Sequence, residues 1–158
     1  MAQPNLLYLK TQTARETKMT PTEFATNFFE QMLNWEDWYY AEKKKPEYET
    51  DNEFIKKTDQ ESRSKLELIL RSFLTESAFS KIGQEKLETL GVGRPRLYDQ
   101  EAISCTESSS LKFEVISKNR KKQNSYSKYL VLQKEGTYKI DQAYQSIDGQ
   151  NWRKKNSI

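Results

Sequence analysis

The stretch Gly91-Val92-Gly93-Arg94-Pro95-Arg96-Leu97-Tyr98 divides the chain into two parts that obey different periods. Before it, apolar residues recur every three or four positions; after it, they sit in short runs parted by turn chemistry. Leu97 to Thr106, Leu111 to Val115, Tyr126 to Gln133 and Thr137 to Tyr144 each read as a strand. The links between them, Ser108-Ser109-Ser110, a basic loop from Lys118 to Asn124, and Glu135-Gly136, are of hairpin length, so the strands form an antiparallel meander. Gly91-Val92-Gly93 lacks the third glycine of a dinucleotide fingerprint and follows no strand, so it signals a turn.

Working back from that boundary, residues 75 to 95 hold Phe79, Ile82, Leu87 and Leu90 before the glycines and read as short turns. Thr58-Asp59-Gln60-Glu61 has the spacing of a capping box ahead of Leu66, Ile69, Leu70, Phe73 and Leu74, which predicts an amphipathic helix of about 15 residues. Pro46 to Lys57 is then a polar link. Thr20-Pro21-Thr22-Glu23 starts a longer helix with a cap, a proline at the first helical position and an acid in the first turn. Phe24, Phe28, Met32, Trp35 and Tyr39 give it an apolar stripe, and Lys43-Lys44-Lys45 suits its negative end. Helices first and strands afterwards, without alternation, define an α+β protein with helices packed on one face of an antiparallel sheet. Residues 1–19 read as an arm and residues 20–158 as the domain.

Composition narrows the chemistry. The 158 residues are the size of one domain; 31% are charged, the net charge is only +3, and aromatics reach 12%, enough rings to build a core from few apolar residues. With no histidine, Ser/His/Asp and Cys/His couples and histidine metal sites are excluded. The single Cys105 forms no intrachain disulfide and reads as a small buried apolar residue. No stretch approaches the roughly 20 apolar residues of a membrane span, and Leu6-Leu7-Tyr8-Leu9 is too short for a secretory leader, so a cytoplasmic protein is expected. No metal, cofactor or catalytic residue is expected.

Glu36 lies inside the apolar stripe of the first helix, where a carboxylate is costly without a partner. Either it is a general base in a pocket, or, the preferred reading, a structural acceptor for a tyrosine hydroxyl, a backbone amide or an arginine, with Arg94 as one candidate. Trp38 projects from the polar side, shared with Asn27, Gln31, Asn34 and Glu42, and is either covered by residues 46 to 57 or an exposed anchor. The basic clusters Lys43 to Lys45, Lys118 to Lys122 and Arg153 to Lys155 read as solvated ends and tips, since 23 acids nearly balance 26 bases and no nucleic-acid motif accompanies them.

Trp35-Glu36 with Tyr39-Tyr40, then Gly93-Arg94-Pro95 with Tyr98-Asp99, then Gly136-Thr137-Tyr138-Lys139-Ile140-Asp141, and finally Trp152 form an ordered series. From Thr20 to Ile158 the chain resembles the bacterial immunity proteins with a nuclear transport factor 2 fold, partners of polymorphic toxins. Thr137 and Tyr138 stand where that pattern commonly has a tryptophan. The resemblance implies a cone of helices closed over a curved sheet, binding of a cognate toxin domain without catalysis, no nucleic-acid or membrane partner, and a sheet that can pair into a homodimer. Trp38, Glu47, Glu49, Asp51, Glu53 and Tyr98 are the expected contacts, and Trp35, Glu36, Arg94 and Trp152 the structural motif. The alternative is a small-molecule binder or an isomerase- or dehydratase-like enzyme of the same cone, with Glu36 as acid/base and Tyr39, Tyr40 or Tyr98 as hydrogen-bond donors.

Overall fold

A computed structural model describes residues 19–158; the expected N-terminal arm, Met19 apart, lies outside the described residues. Helix α1 spans Pro21–Lys43, and Thr20 Oγ1 accepts from the Glu23 amide at 3.0 Å, so the cap read from sequence is the cap formed. Its buried stripe is Phe24, Ala25, Phe28, Phe29, Met32, Trp35, Glu36 and Tyr39. A one-turn helix α2 (Glu47–Thr50) leads to α3 (Asn52–Phe73).

Helix α3 corrects the expectation of a link followed by a short helix. Its N-cap is Asp51, whose Oδ1 accepts from the amides of Glu53 and Phe54 at 3.0 and 3.1 Å, seven residues before Thr58. Thr58 is buried within the helix and Asp59 faces α1 instead of capping. The Tyr39 and Tyr48 hydroxyls both donate to Asp59 Oδ1, at 2.6 and 2.7 Å. Burial, and then the bond to Asp59, push the Tyr39 hydroxyl far above the ordinary phenol range. One turn on, the Trp35 indole N–H is shared between the Ser62 carbonyl at 3.0 Å and its hydroxyl at 3.1 Å. These bonds fix the register of the two helices where apolar contact alone would let them slide.

The region read as short turns is helical for most of its length: α4 (Glu76–Ala78), a π-helical turn (Phe79–Gly83) and α5 (Gln84–Thr89), ended by Leu90 in the left-handed region at φ 48°. Ala78, Phe79, Ile82, Leu87 and Leu90 are buried, so packing overrides the broken local pattern. Thr75 joins this layer to the sheet: its N–H donates to the Ile140 carbonyl at 2.9 Å and its hydroxyl to Asp141 at 2.8 Å.

Five antiparallel strands follow in the order β1 (Gln100–Ser109), β2 (Lys112–Asn119), β3 (Tyr126–Lys134), β4 (Thr137–Ser146) and β5 (Arg153–Lys154). The meander is as expected, with the short β5 added. Register shifts at Ala102/Ser104 and Glu107/Ser109 on β1, and at Leu130/Val131 between β3 and β4, bend the sheet around the helices. Glu135 and Gly136 both take positive φ, 53° and 79°, as a tight β3–β4 hairpin requires. Phe28 and Phe29 meet Tyr129 of β3 with ring centroids 6.2 and 5.5 Å apart, and Val115, Val131 and Ile140 complete a core in which each fully buried side chain contributes about 2 kcal/mol. Beyond Gln100, β1 is an exposed edge on which only Ala102 is half-buried, so Cys105 is exposed and not the buried residue expected.

Candidate functional site

Glu36 is fully buried, and its carboxylate holds the segment that divides the sequence. Oε2 accepts from the Gly93 amide at 2.9 Å and the Leu97 amide at 3.0 Å, and Oε1 from the Tyr98 amide at 3.1 Å. Three backbone donors satisfy a buried charge that would otherwise cost several kcal/mol. The same bonds explain why β1 begins at Gln100 and not at Leu97: the Leu97 and Tyr98 amides are committed to α1 before the ladder starts. A Cβ on Gly93 would come within 3.0 Å of the Leu97 side chain, so the glycine lets the loop close tightly on the helix.

The expected Arg94–Glu36 pair does not form. Arg94 lies outside, with its guanidinium 3.6 Å from the Tyr40 ring centroid and 3.4 Å from Asp37. Arg96 bridges Asp37 at 2.9 Å and Asp99 at 3.1 Å, and Arg120 reaches Asp99 at 3.3 Å. Burial raises the Asp99 carboxyl, but the bonds from Arg96 and Arg120 outweigh it and hold the group below its usual range. Glu36 thus pins the loop from inside while this network pins it from outside.

Tyr98 is also corrected. It is 2% exposed and its hydroxyl donates to the Ile158 carbonyl at 2.9 Å, so the ring is part of the core and not a surface contact. Trp38 is half-buried, stacked on Tyr39 and covered on one side by the Lys65 ammonium at 5.0 Å from α3. Glu47, Glu49, Asp51 and Glu53 are exposed, though Asp51 serves α3 as its cap. Trp152 is half-buried beneath the Lys128 ammonium.

A cavity of about 720 Å³ opens at the end of the sheet beyond Tyr98 and is lined in part by Lys86, Lys122, Tyr126, Trp152, Arg153 and Lys155. Nothing in the sequence joined these residues. Lys86 is 4% exposed, donates to the Gly91 carbonyl at 2.6 Å, and lies 5.6 and 5.1 Å from the Trp35 and Tyr98 rings. Burial lowers its ammonium to about 8, with Glu36 pulling upward and Lys155 pushing further down. Glu36 does not line the cavity, so the acid/base role in the enzyme alternative has no geometric basis. Among the described residues, no His, Cys, Asp and Glu side chains gather in threes as a metal site, and no helix is long and apolar enough to cross a membrane.

A helical layer closed over a bent antiparallel meander, with the helix–loop junction sealed by a buried carboxylate, is an α+β cone of the nuclear transport factor 2 type. The family model described as NTF2 fold immunity protein matches residues 20–156, and the chain belongs to that family. An immunity role goes with that membership. No curated protein and no solved structure gives a match.

Proposed function

We propose that the chain binds a cognate toxin domain in the cytoplasm of the cell that makes it and blocks that domain by occupancy, without catalysis. Family membership over residues 20–156 carries this reading. The commitment of Glu36 to three backbone amides supports it by removing the acid/base on which an isomerase-like reaction would rest. The contact face is the outer side of α1, α2 and the first turn of α3. Trp38 is only partly buried, and Glu47, Glu49 and Glu53 have no ion-pair partner among the described residues. Such acids speed encounter with a basic toxin surface, while a central aromatic supplies the affinity. Co-expression with the domain encoded immediately upstream tests the reading. Rescued growth together with a copurifying complex is the expected result; unrelieved toxicity, or rescue with no complex, would overturn it.

A further inference from the structure

We propose that the cavity at the open end of the cone is a binding site for a small organic anion, an oxyanion carried on a planar body, independent of the toxin-binding face. Four cationic side chains, Lys86, Lys122, Arg153 and Lys155, line this space, against one acidic side chain, Asp148. Asp148 is already committed: it accepts from the amides of Gln150 and Asn151, both at 2.9 Å, from the Ser146 hydroxyl at 2.8 Å and from the Asn151 side chain at 2.7 Å. None of the four cations has a carboxylate within 4.0 Å among the described residues, although the chain as a whole carries 23 acids for 26 bases.

Two of these charges are hard to account for by folding alone. Lys86 is buried, and Lys155, half-buried, is close enough to disfavour its charged form. Like charges gathered in a concave, partly desolvated space destabilise the free protein, and an anion placed between them relieves both. Lys86 is also held in place by the Gly91 carbonyl and by the Trp35 and Tyr98 rings, so little ordering is left for a ligand to impose. The half-buried rings of Trp152 and Tyr126 offer flat apolar surface beside the cations. The volume, about 720 Å³, lies in the range of small-molecule sites, roughly 300–1,000 Å³, and the open mouth admits a ligand without rearrangement.

The basic clusters Lys118 to Lys122 and Arg153 to Lys155 take on meaning here. One basic member of the first and two of the second converge on this cavity, from the β2–β3 link and from β5 and the residue after it, at the same end of the sheet. The oxyanion can belong to a free metabolite or to an acidic side chain of a protein; the concave shape with flat rings beside the cations favours the free molecule.

Calorimetric titration of the purified protein with adenosine 5′-monophosphate, citrate and uncharged adenosine tests the site. Saturable binding of the nucleotide, weaker binding of citrate and little binding of adenosine are expected. Arg153→Glu and Lys155→Met should each weaken the nucleotide by about tenfold, with thermal unfolding little changed. Lys86→Met should weaken it further, and the two outer variants keep the test valid if that protein does not fold. Nucleotide affinity should decline above about pH 8 as Lys86, facing Glu36 of α1 and Lys155, loses its proton. Equal binding of adenosine and its monophosphate, or equal affinity in wild type and Arg153→Glu, would overturn the site. So would failure of both anions to bind while a poly-glutamate peptide binds, which would assign the cavity to an acidic protein segment. A single-stranded RNA binding far more tightly, with a steep salt dependence, would replace it with an extended nucleic-acid surface.

Discussion

Glu36 accepts three backbone bonds from residues 57 to 62 positions away in sequence, so its removal strands buried donors at the junction of helix and sheet. Glu36→Ala is expected to cost about 3 kcal/mol, a fall in Tm of about 6–12 °C by calorimetry. Arg94→Ala should cost less than about 1 kcal/mol, since Arg94 stacks on half-buried Tyr40 at the surface and pairs weakly. The two changes should add, because the groups share no bond; marked non-additivity would restore the pair anticipated from sequence. Trp38→Ala is expected to retain the fold with a Tm loss of a few degrees and to lose toxin affinity about thirtyfold in a binding titration. A large Tm loss with unchanged affinity would make Trp38 a core residue. That Glu36 needs partners is legible from its place in an apolar stripe. Which partners it finds is not, because three amides and one arginine satisfy the same need.

Helix α3 shows how an element's boundary escapes a pattern that predicts its existence. The capping box from Thr58 to Glu61 stands next to the apolar run and reads as the start, yet the helix is capped seven residues earlier, by Asp51. The earlier cap forms because α1 uses Asp59 as the acceptor for Tyr39, which requires a helical turn on both sides of it. Asp51→Ala should therefore cost about 1 kcal/mol by denaturant unfolding, whereas Asp51→Asn, which keeps the cap, should cost almost nothing. If Asp51→Asn also weakens toxin binding, the charge serves the interface and the side chain the helix. No loss in Asp51→Ala would return the helix start to Thr58. The segment 76–89 makes the same point: its apolar residues lack a clean period because the π-turn at Phe79–Gly83 shifts the face by one residue, so local pattern reads it as turns.

At the scale of the whole molecule, Lys86 couples the charge of the cavity to stability. Its ammonium is lowered to about 8 in the folded protein by burial first, while an unfolded lysine titrates near 10.4. Below pH 8 both states are protonated and the folded state bears the full penalty of a buried cation. As pH rises from about 8 toward 10, the folded state releases the proton first, the unfolded chain binds more protons, and stability increases, by an amount on the order of 2 kcal/mol. Above about pH 10 the trend reverses, since burial holds Tyr39 and Tyr98 protonated while unfolded tyrosines ionise. Urea midpoints measured across this range should rise and then fall, and Lys86→Met should flatten the rise. A wild-type midpoint that does not rise between pH 8 and 10 would show that Lys86 is not a buried cation.

The order of helices before strands, the start of α1, the antiparallel meander and the α+β class were all determined by the sequence, because caps, hairpin residues and apolar period act between neighbours a few positions apart. Tertiary structure alone decided the partners of Glu36, the burial of Tyr98, the start of α3 and the meeting of Lys86, Lys122, Arg153 and Lys155 around one cavity. Those arrangements depend on where the curved sheet carries residues distant in the chain, and an isolated lysine or glutamate has the same local signature in solvent as at the mouth of a cone.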